Sequence, residues 1–313
     1  MDLFDLHCDT AFEMYRTKAD IYSNELCVSV DKFGKYDRKA QVFAVWADRN
    51  KSDDECFLEF RHIIAETKEK AAQYPDLAVM CGDSETLKNA GNKLCIIPAV
   101  EDARMLGGDL SRLEKMYSAG VRILTLGWEG NTCVCGGYDT EDGLTDFGFE
   151  VLSECEKLGI TVDVSHLSEK GFWDVAGRVT KPFIASHSNS MALCTHRRNL
   201  TDTQFRTIVS HGGIVGVSLV GKHLSAALED NDPEEGQVYE AVCSHIEHYL
   251  EMAPKNTCLG MDFDGTGPLR GLENVANAEN IAKALSNRGC DEKAIQDVFF
   301  NNAYAFFEKA LQN

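Results

Sequence analysis

Much is missing from this chain of 313 residues. It has no run of eighteen apolar residues, so no stretch reads as a membrane-spanning helix. It has no basic excess either: 31 Lys and Arg stand against 50 Asp and Glu, a formal net charge of −19. That balance leaves no positive footprint for nucleic acid or an anionic lipid surface. Twelve cysteines are present, but none form a Cys-x-x-Cys pair. Reduced, mostly buried thiols in a cytoplasmic protein are the expected state. The first apolar run is short and already carries Asp2, Asp5, His7 and Asp9, so no secretion signal is expected. Repeats, low-complexity tracts and an obvious linker are absent too. The expected partner is a small molecule.

What is present is ordinary globular material, 44% apolar and 26% charged, enough for a sizeable core. The length suits two average domains or one α/β barrel. Short apolar runs alternate with helical patterns along the whole chain. Strands are expected at 3–9, 41–47, 93–100, 121–126, 160–166, 182–187, 213–220 and 258–262, with a minor one near 77–81. Helices are expected at 11–23, 53–74, 109–119, 146–158, 201–211 and 236–252, and over most of 274–311. Gly120 and Gly159 are plausible C-caps, and Ser168 and Thr201 or Asp202 plausible N-caps. An acidic loop, 229–235, precedes the helix at 236. Continuous apolar strands separated by helices predict a parallel sheet covered on both faces. The expectation is one (β/α)8 TIM-type barrel domain over 1–313 with C-terminal helices. An open doubly wound sheet is the alternative.

The polar residues favour the barrel, because in that fold the C-terminal strand ends share one rim. The first strand runs into His7 and Asp9, whose i, i+2 spacing on a strand would turn both side chains to one face, the third into Glu101, the fifth into His166, the sixth into His187 and the eighth into Asp262. Each has a bland explanation alone, as a core histidine, a helix cap or an Asx turn. Together, six ionisable groups on one rim require partners or cations. Three histidines and three carboxylates suit borderline divalent cations such as zinc better than calcium or magnesium. Two metals with one bridging carboxylate are consistent with that set.

At these residues the chain resembles the membrane (renal) dipeptidase family of the amidohydrolase superfamily. The matching pieces are Asp5–Thr10, Val100–Glu101, Gly120–Leu126, Asp163–Ser168, Ser186–Ser188, Arg197–Asn199 and Met261–Gly265. They run in the family's order over nearly the full length. The resemblance implies a (β/α)8 barrel with a binuclear zinc site. His7 and Asp9 would hold one Zn2+, His166 and His187 the other, and Glu101 would bridge them. Arg198 would clamp the terminal carboxylate of a short peptide, and Asp262 would be the acid/base. The implied activity is that of a dipeptidase, with D-residues among the C-terminal residues it accepts. A metal-activated bridging water would attack the amide. A small peptide is then the substrate, and a homodimer the assembly considered.

The chain departs from the pattern in two ways. Mammalian members carry a secretion signal, a lipid anchor and disulfides, so this chain looks like a cytosolic bacterial-type relative. Better-known members also have a His after strand four, where this chain has Gly127-Trp128. An indole donates through one N–H only. Trp128 is therefore a candidate substrate contact, and Glu129, Asn131 and Tyr138 are neighbours able to substitute for the histidine. Trp128 also keeps two alternatives in view, an amidohydrolase-type enzyme acting on a lactone, amide or deaminase substrate, and a non-catalytic metal-binding barrel. The remaining features read as structural. His245 and His248 face solvent on a helix, Cys133 and Cys135 are thiols in a loop, and the Phe299-Phe300 and Phe306-Phe307 pairs pack in the core. Asn301-Asn302 caps a helix or approaches the site.

Overall fold

A computed structural model describes residues 1–228 and 233–312. Residues 229–232 of the expected acidic loop lie outside the described residues. The strands are β1 Leu3–Cys8, β2 Lys39–Trp46, β3 Ala78–Met80, β4 Leu94–Glu101, β5 Ile123–Thr125, β6 Thr161–Asp163, β7 Val215–Val217 and β8 Thr257–Leu259. Their pairings are parallel, in the order β6-β5-β4-β2-β1-β8-β7. Isolated bridges Asp163↔Ile184 and Ala185↔Val215 close the curl. The expected strand at 182–187 thus occupies its barrel position with only two bridged residues. The fold is a (β/α)8 barrel. Strand β3 pairs with the N-terminal half of β4, Leu94 to Ile96, and β5 with its C-terminal half, Ala99 to Glu101.

Burial explains the apolar continuity of the strands. Every residue of β1 and β4 is buried, as expected for a sheet with helices outside and side chains inside. Helix starts follow their caps. The helix Asp53–Ala72 opens on a Ser52/Glu55 capping box, Asp146–Leu158 on Thr145, Glu169–Ala176 on Ser168, and Asp202–Ser210 on a Thr201/Gln204 box. Gly159 ends its helix in the left-handed region at φ 75°, where glycine has no steric cost.

Two boundaries differ from expectation. The first helix stops at Thr17 rather than continuing to 23, because Lys18 turns left-handed and the Asp20 carboxylate accepts from the Tyr22 N–H at 2.7 Å. Local side-chain bonds of this kind compete with the helix. The C-terminal segment is not continuous. It divides into Glu279–Asn287, Glu292–Gln296, a π-turn Asp297–Asn301 and Asn302–Ala310, with Gly289 at φ 97° at the first break. Phe300 and Phe307 pack on Phe4 at centroid distances of 6.2 and 5.3 Å, plugging the end of the barrel where β1 begins. Asn302 donates to the carbonyls of Pro254 and Thr257 at 2.7 and 2.8 Å. Asn301-Asn302 therefore belongs to the base, far from the strand C-termini. No described helix is long and apolar enough to cross a membrane.

Candidate metal centre

The rim collects the six ionisable residues expected there, although not always for the expected reason. Simple strand alternation does not place His7 beside Asp9. The register of β1 shifts between Asp5 and Cys8, and Asp9 has left the strand, its N–H donating to Phe263 O at 2.9 Å. The irregularity still leaves His7 Nε2 3.6 Å from Asp9 Oδ2. Glu101 is the last residue of β4. His166 and Asp262 each follow their strand by three residues and adopt φ 70° and 60°. That left-handed backbone costs a non-glycine residue about 1–2 kcal/mol. It persists where the surrounding structure over-determines it, as happens at functional sites.

The side chains converge. His7 Nε2 lies 3.5 Å from Glu101 Oε2 and 3.7 Å from Asp262 Oδ1. The other Glu101 oxygen is 2.9 Å from His166 Nε2 and 3.6 Å from His187 Nε2, and those two nitrogens are 2.8 Å apart. Glu101 thus turns one oxygen to His7 and the other to the His166/His187 pair. Among the described residues, two ligand groupings have donor atoms all within 4.8 Å of one another: His7 with Glu101 and His187, and His7 with Asp9 and Asp262. His7 is common to both, where the family resemblance implies that it serves one.

Burial drives the electrostatics of this cluster. It raises the Glu101 and Asp262 carboxyls, with Asp9 raising both further against the opposing pull of His7 and Arg198. It lowers His166 and His187 well below the ordinary range, helped by Arg198 and His7. Burial also works against a proton on His7, but Glu101 and Asp9 outweigh it and hold that group high. His7 Nε2, Asp9 Oδ1 and His166 Nδ1 are buried without a hydrogen-bond partner. A dense set of imidazole nitrogens and carboxylate oxygens, several of them without a hydrogen-bond partner, is the donor chemistry of a divalent transition-metal site.

The surroundings also fix which His187 nitrogen faces that set. Asp163 accepts from the hydroxyls of Thr125 and Ser186, both at 2.6 Å, and from the N–H groups of Ser165 and Ser186 at 3.0 and 2.9 Å. Ser186 therefore gives its proton to Asp163, and its oxygen accepts from His187 Nδ1–H at 2.7 Å. The Nε2 lone pair is left pointing at Glu101, the tautomer a metal ligand requires. Asp163 and Ser186 have no expected role in the sequence, although each lies within three residues of a strand-end histidine. Their proximity to strand-end histidines was the available signal.

A cleft of about 370 Å3 opens over the cluster, lined by Asp9, Glu101, His166, Arg198 and Asp262 together with Trp128. Arg198 is buried, donates one bond to His187 O at 3.2 Å, and keeps its Nε unpartnered. Arg197 instead faces outward and pairs with Glu141 at 3.1 Å. Trp128 stands with its ring 6.0 Å from that of His166 and edge-on to Trp46 at 5.2 Å. Glu129 is engaged by Arg49 and by the Tyr138 hydroxyl, and Asn131 by Asp142. Phe12, Trp46 and His223 also line the cleft, a position that no motif in the sequence signals.

Other histidine and cysteine readings resolve plainly. His245 is not solvent-facing. It is buried, accepting from the Ser190 N–H at 3.0 Å and meeting Leu224 O at 2.9 Å, while His248 pairs with Asp202. His223 lies against His196, with the rings tilted by 40° at a centroid distance of 4.3 Å. Cys133 and Cys135 are free thiols directed at the carbonyls of Arg104 and Leu126.

The family model described as membrane dipeptidase (peptidase family M19) matches residues 1–313. A Klebsiella pneumoniae protein described as an uncharacterized protein in the pqqA 5′ region is 33% identical over 218 residues, 67% of this chain and 79% of that one. The structure superimposes with a TM-score of 0.92 on a Rhodobacter sphaeroides metallopeptidase bound to a phosphinate mimic of the dipeptide L-Ala-D-Ala, at 23% identity over 99% of both chains. A metallopeptidase described as dipeptidase AC gives 0.93 at 24% identity, covering 100% of this chain and 99% of that one. The structural likenesses show a common fold.

Proposed function

The chain belongs to the membrane dipeptidase family, peptidase family M19, and on that premise we propose that it cleaves dipeptides with a free C-terminal carboxylate at a two-zinc centre. Membership makes it a metal-dependent dipeptidase. In our reading His7, Asp9, Glu101, His166 and His187 hold the cations, with Glu101 between them. The observation that carries this is the meeting of three imidazole Nε2 atoms with the two oxygens of Glu101, at 2.9 to 3.6 Å. When bound, two zinc ions supply an acidified water and an electrophile for the scissile carbonyl.

The chain's own residues supply the rest. Asp262, with its carboxyl raised by burial, takes a proton at the rim and returns it to the departing amine, acting as base and then acid. Arg198 offers a planar fork to the substrate's carboxylate, and its unpartnered Nε leaves a donor for that purpose. A fork at fixed distance from the cluster selects for short peptides. The solved Rhodobacter sphaeroides relative carries a mimic of L-Ala-D-Ala, and we extend acceptance of a D-residue at the C-terminal position to this chain. Residues 1–313 form one domain in this reading. The free state of all twelve cysteines supports a reducing, cytoplasmic setting.

Metal analysis coupled to a panel of dipeptides with L and D C-terminal residues tests the proposal. Two zinc ions per chain, with turnover of free-carboxylate dipeptides, are expected. A protein that holds two zinc ions and cleaves no member of the panel would end the dipeptidase reading.

A further inference from the structure

The cleft has one wall that the chemistry of peptide hydrolysis does not use. Phe12, Trp46 and Trp128 all line it, and all three are only half-buried. Trp46 meets Phe12 at 5.4 Å and Trp128 at 5.2 Å, edge-on in both cases. Arg49 lies 5.7 Å over the Trp128 ring while also gripping Glu129, so the wall is braced from the loop that carries it. Exposed aromatic area gathered in one concave place marks a binding surface.

The barrel's order says which part of a substrate meets that wall. Around the ring the positions run β1, β2, β4, β5, β6, the 184–185 segment, β7 and β8. Trp46 is the last residue of β2, and Arg198 follows the 184–185 segment, four positions away in a ring of eight. The two stand on opposite sides of the cluster. Phe12 follows β1, one position to one side of Trp46, and Trp128 follows β5, two positions to the other. A dipeptide whose carboxylate rests on Arg198 extends about 7 Å across the rim, which carries its N-terminal residue towards the aromatic side.

We infer that Phe12, Trp46 and Trp128 form the subsite for the side chain of the substrate's N-terminal residue, and that this enzyme prefers an aromatic or large aliphatic group there. The inference rests on the dipeptidase reading for the direction of the substrate. Edge-to-face contact with two indoles and a phenyl ring favours an aromatic guest beyond simple area burial. Filling such a subsite with a benzyl group in place of a methyl group is worth about 10- to 100-fold in affinity.

The test compares zinc-loaded wild-type protein with two phosphinate dipeptide mimics, one carrying benzyl and one methyl on the N-terminal side, by calorimetry. The same comparison is made as kcat/KM for Phe-Ala against Ala-Ala. Tighter binding of the benzyl compound by about 10-fold or more supports the subsite, and so does loss of that ratio in Trp128→Ala. Equal or reversed affinities in the wild-type protein overturn it, whatever the variant does. Binding separates the two readings: if neither peptide is cleaved, the dipeptidase assignment fails while the calorimetric ratio still decides the subsite.

Discussion

At Glu101 the arrangement depends on one carboxylate having two free oxygens, one facing His7 and the other His166 and His187. Glu101→Ala should therefore lose metal and activity together, read by metal analysis and turnover on the same sample. Asp262→Asn should keep its metal and lose roughly 10²- to 10⁴-fold in kcat. Undiminished turnover in that variant would remove Asp262 from the mechanism. Arg198→Ala should raise KM for free-carboxylate dipeptides far more than for their C-terminal amides, and an equal rise for both would deny it the clamp. His223 offers a test on the protein's stability. Burial, with Arg198 and His196 beside it, pushes its imidazole down to about 2 from an ordinary 6.5. The folded state thus refuses a proton that the unfolded chain accepts below 6.5, so the stability this group contributes is present above that pH and lost as pH falls. Between pH 7 and pH 5 wild-type protein should lose about 2 kcal/mol that His223→Gln keeps, measured by denaturant unfolding of metal-free protein.

Among the elements, the short 184–187 segment bears the most on the site. It contributes His187 and the Ser186 hydroxyl that orients it, yet it holds only two bridges to its neighbours. Close backbone contact compensates. A Cβ on Gly216 of β7 would lie 2.0 Å from Ser186 O, and one on Gly260, just past β8, 1.8 Å from the same oxygen. No side chain fits there without moving the segment. Gly260→Ala should destabilise the fold by about 1–3 kcal/mol and weaken metal binding as well, checked by thermal unfolding and by competition with a chelator. Full metal affinity in that variant would mean that the segment is held by something else.

For the whole molecule, the centre is a concentration of negative and metal-seeking groups inside a chain whose net charge is already −19. Asp9, Glu101 and Asp262 share a buried rim with one neighbouring guanidinium, Arg198. Cations that bind the folded form alone stabilise it by mass action, by about 4 kcal/mol at a thousandfold excess over Kd. Chelation should accordingly lower the melting temperature by several degrees, and zinc should restore it. An unchanged melting temperature after verified metal removal would show that the cluster is stable without cations. The base of the barrel, packed by Phe4, Phe300 and Phe307, should remain intact through that cycle.

The sequence by itself determined the alternation of apolar strands and capped helices, because burial on both faces and side-chain caps are written locally. It also placed His7, Glu101, His166, His187 and Asp262 at strand ends, and a barrel gathers those ends on one rim. The tertiary structure decided what local pattern cannot carry. Asp9 reaches His7 through a register shift rather than alternation, and His166 and Asp262 point inward on left-handed backbone, which their residue types permit but no local pattern specifies. His245 is buried because Ser190 and Leu224, over twenty residues away or more, supply its partners. The aromatic wall of Phe12, Trp46 and Trp128 comes from the helix after β1, the end of β2 and the loop after β5, and only closure of the ring brings them together.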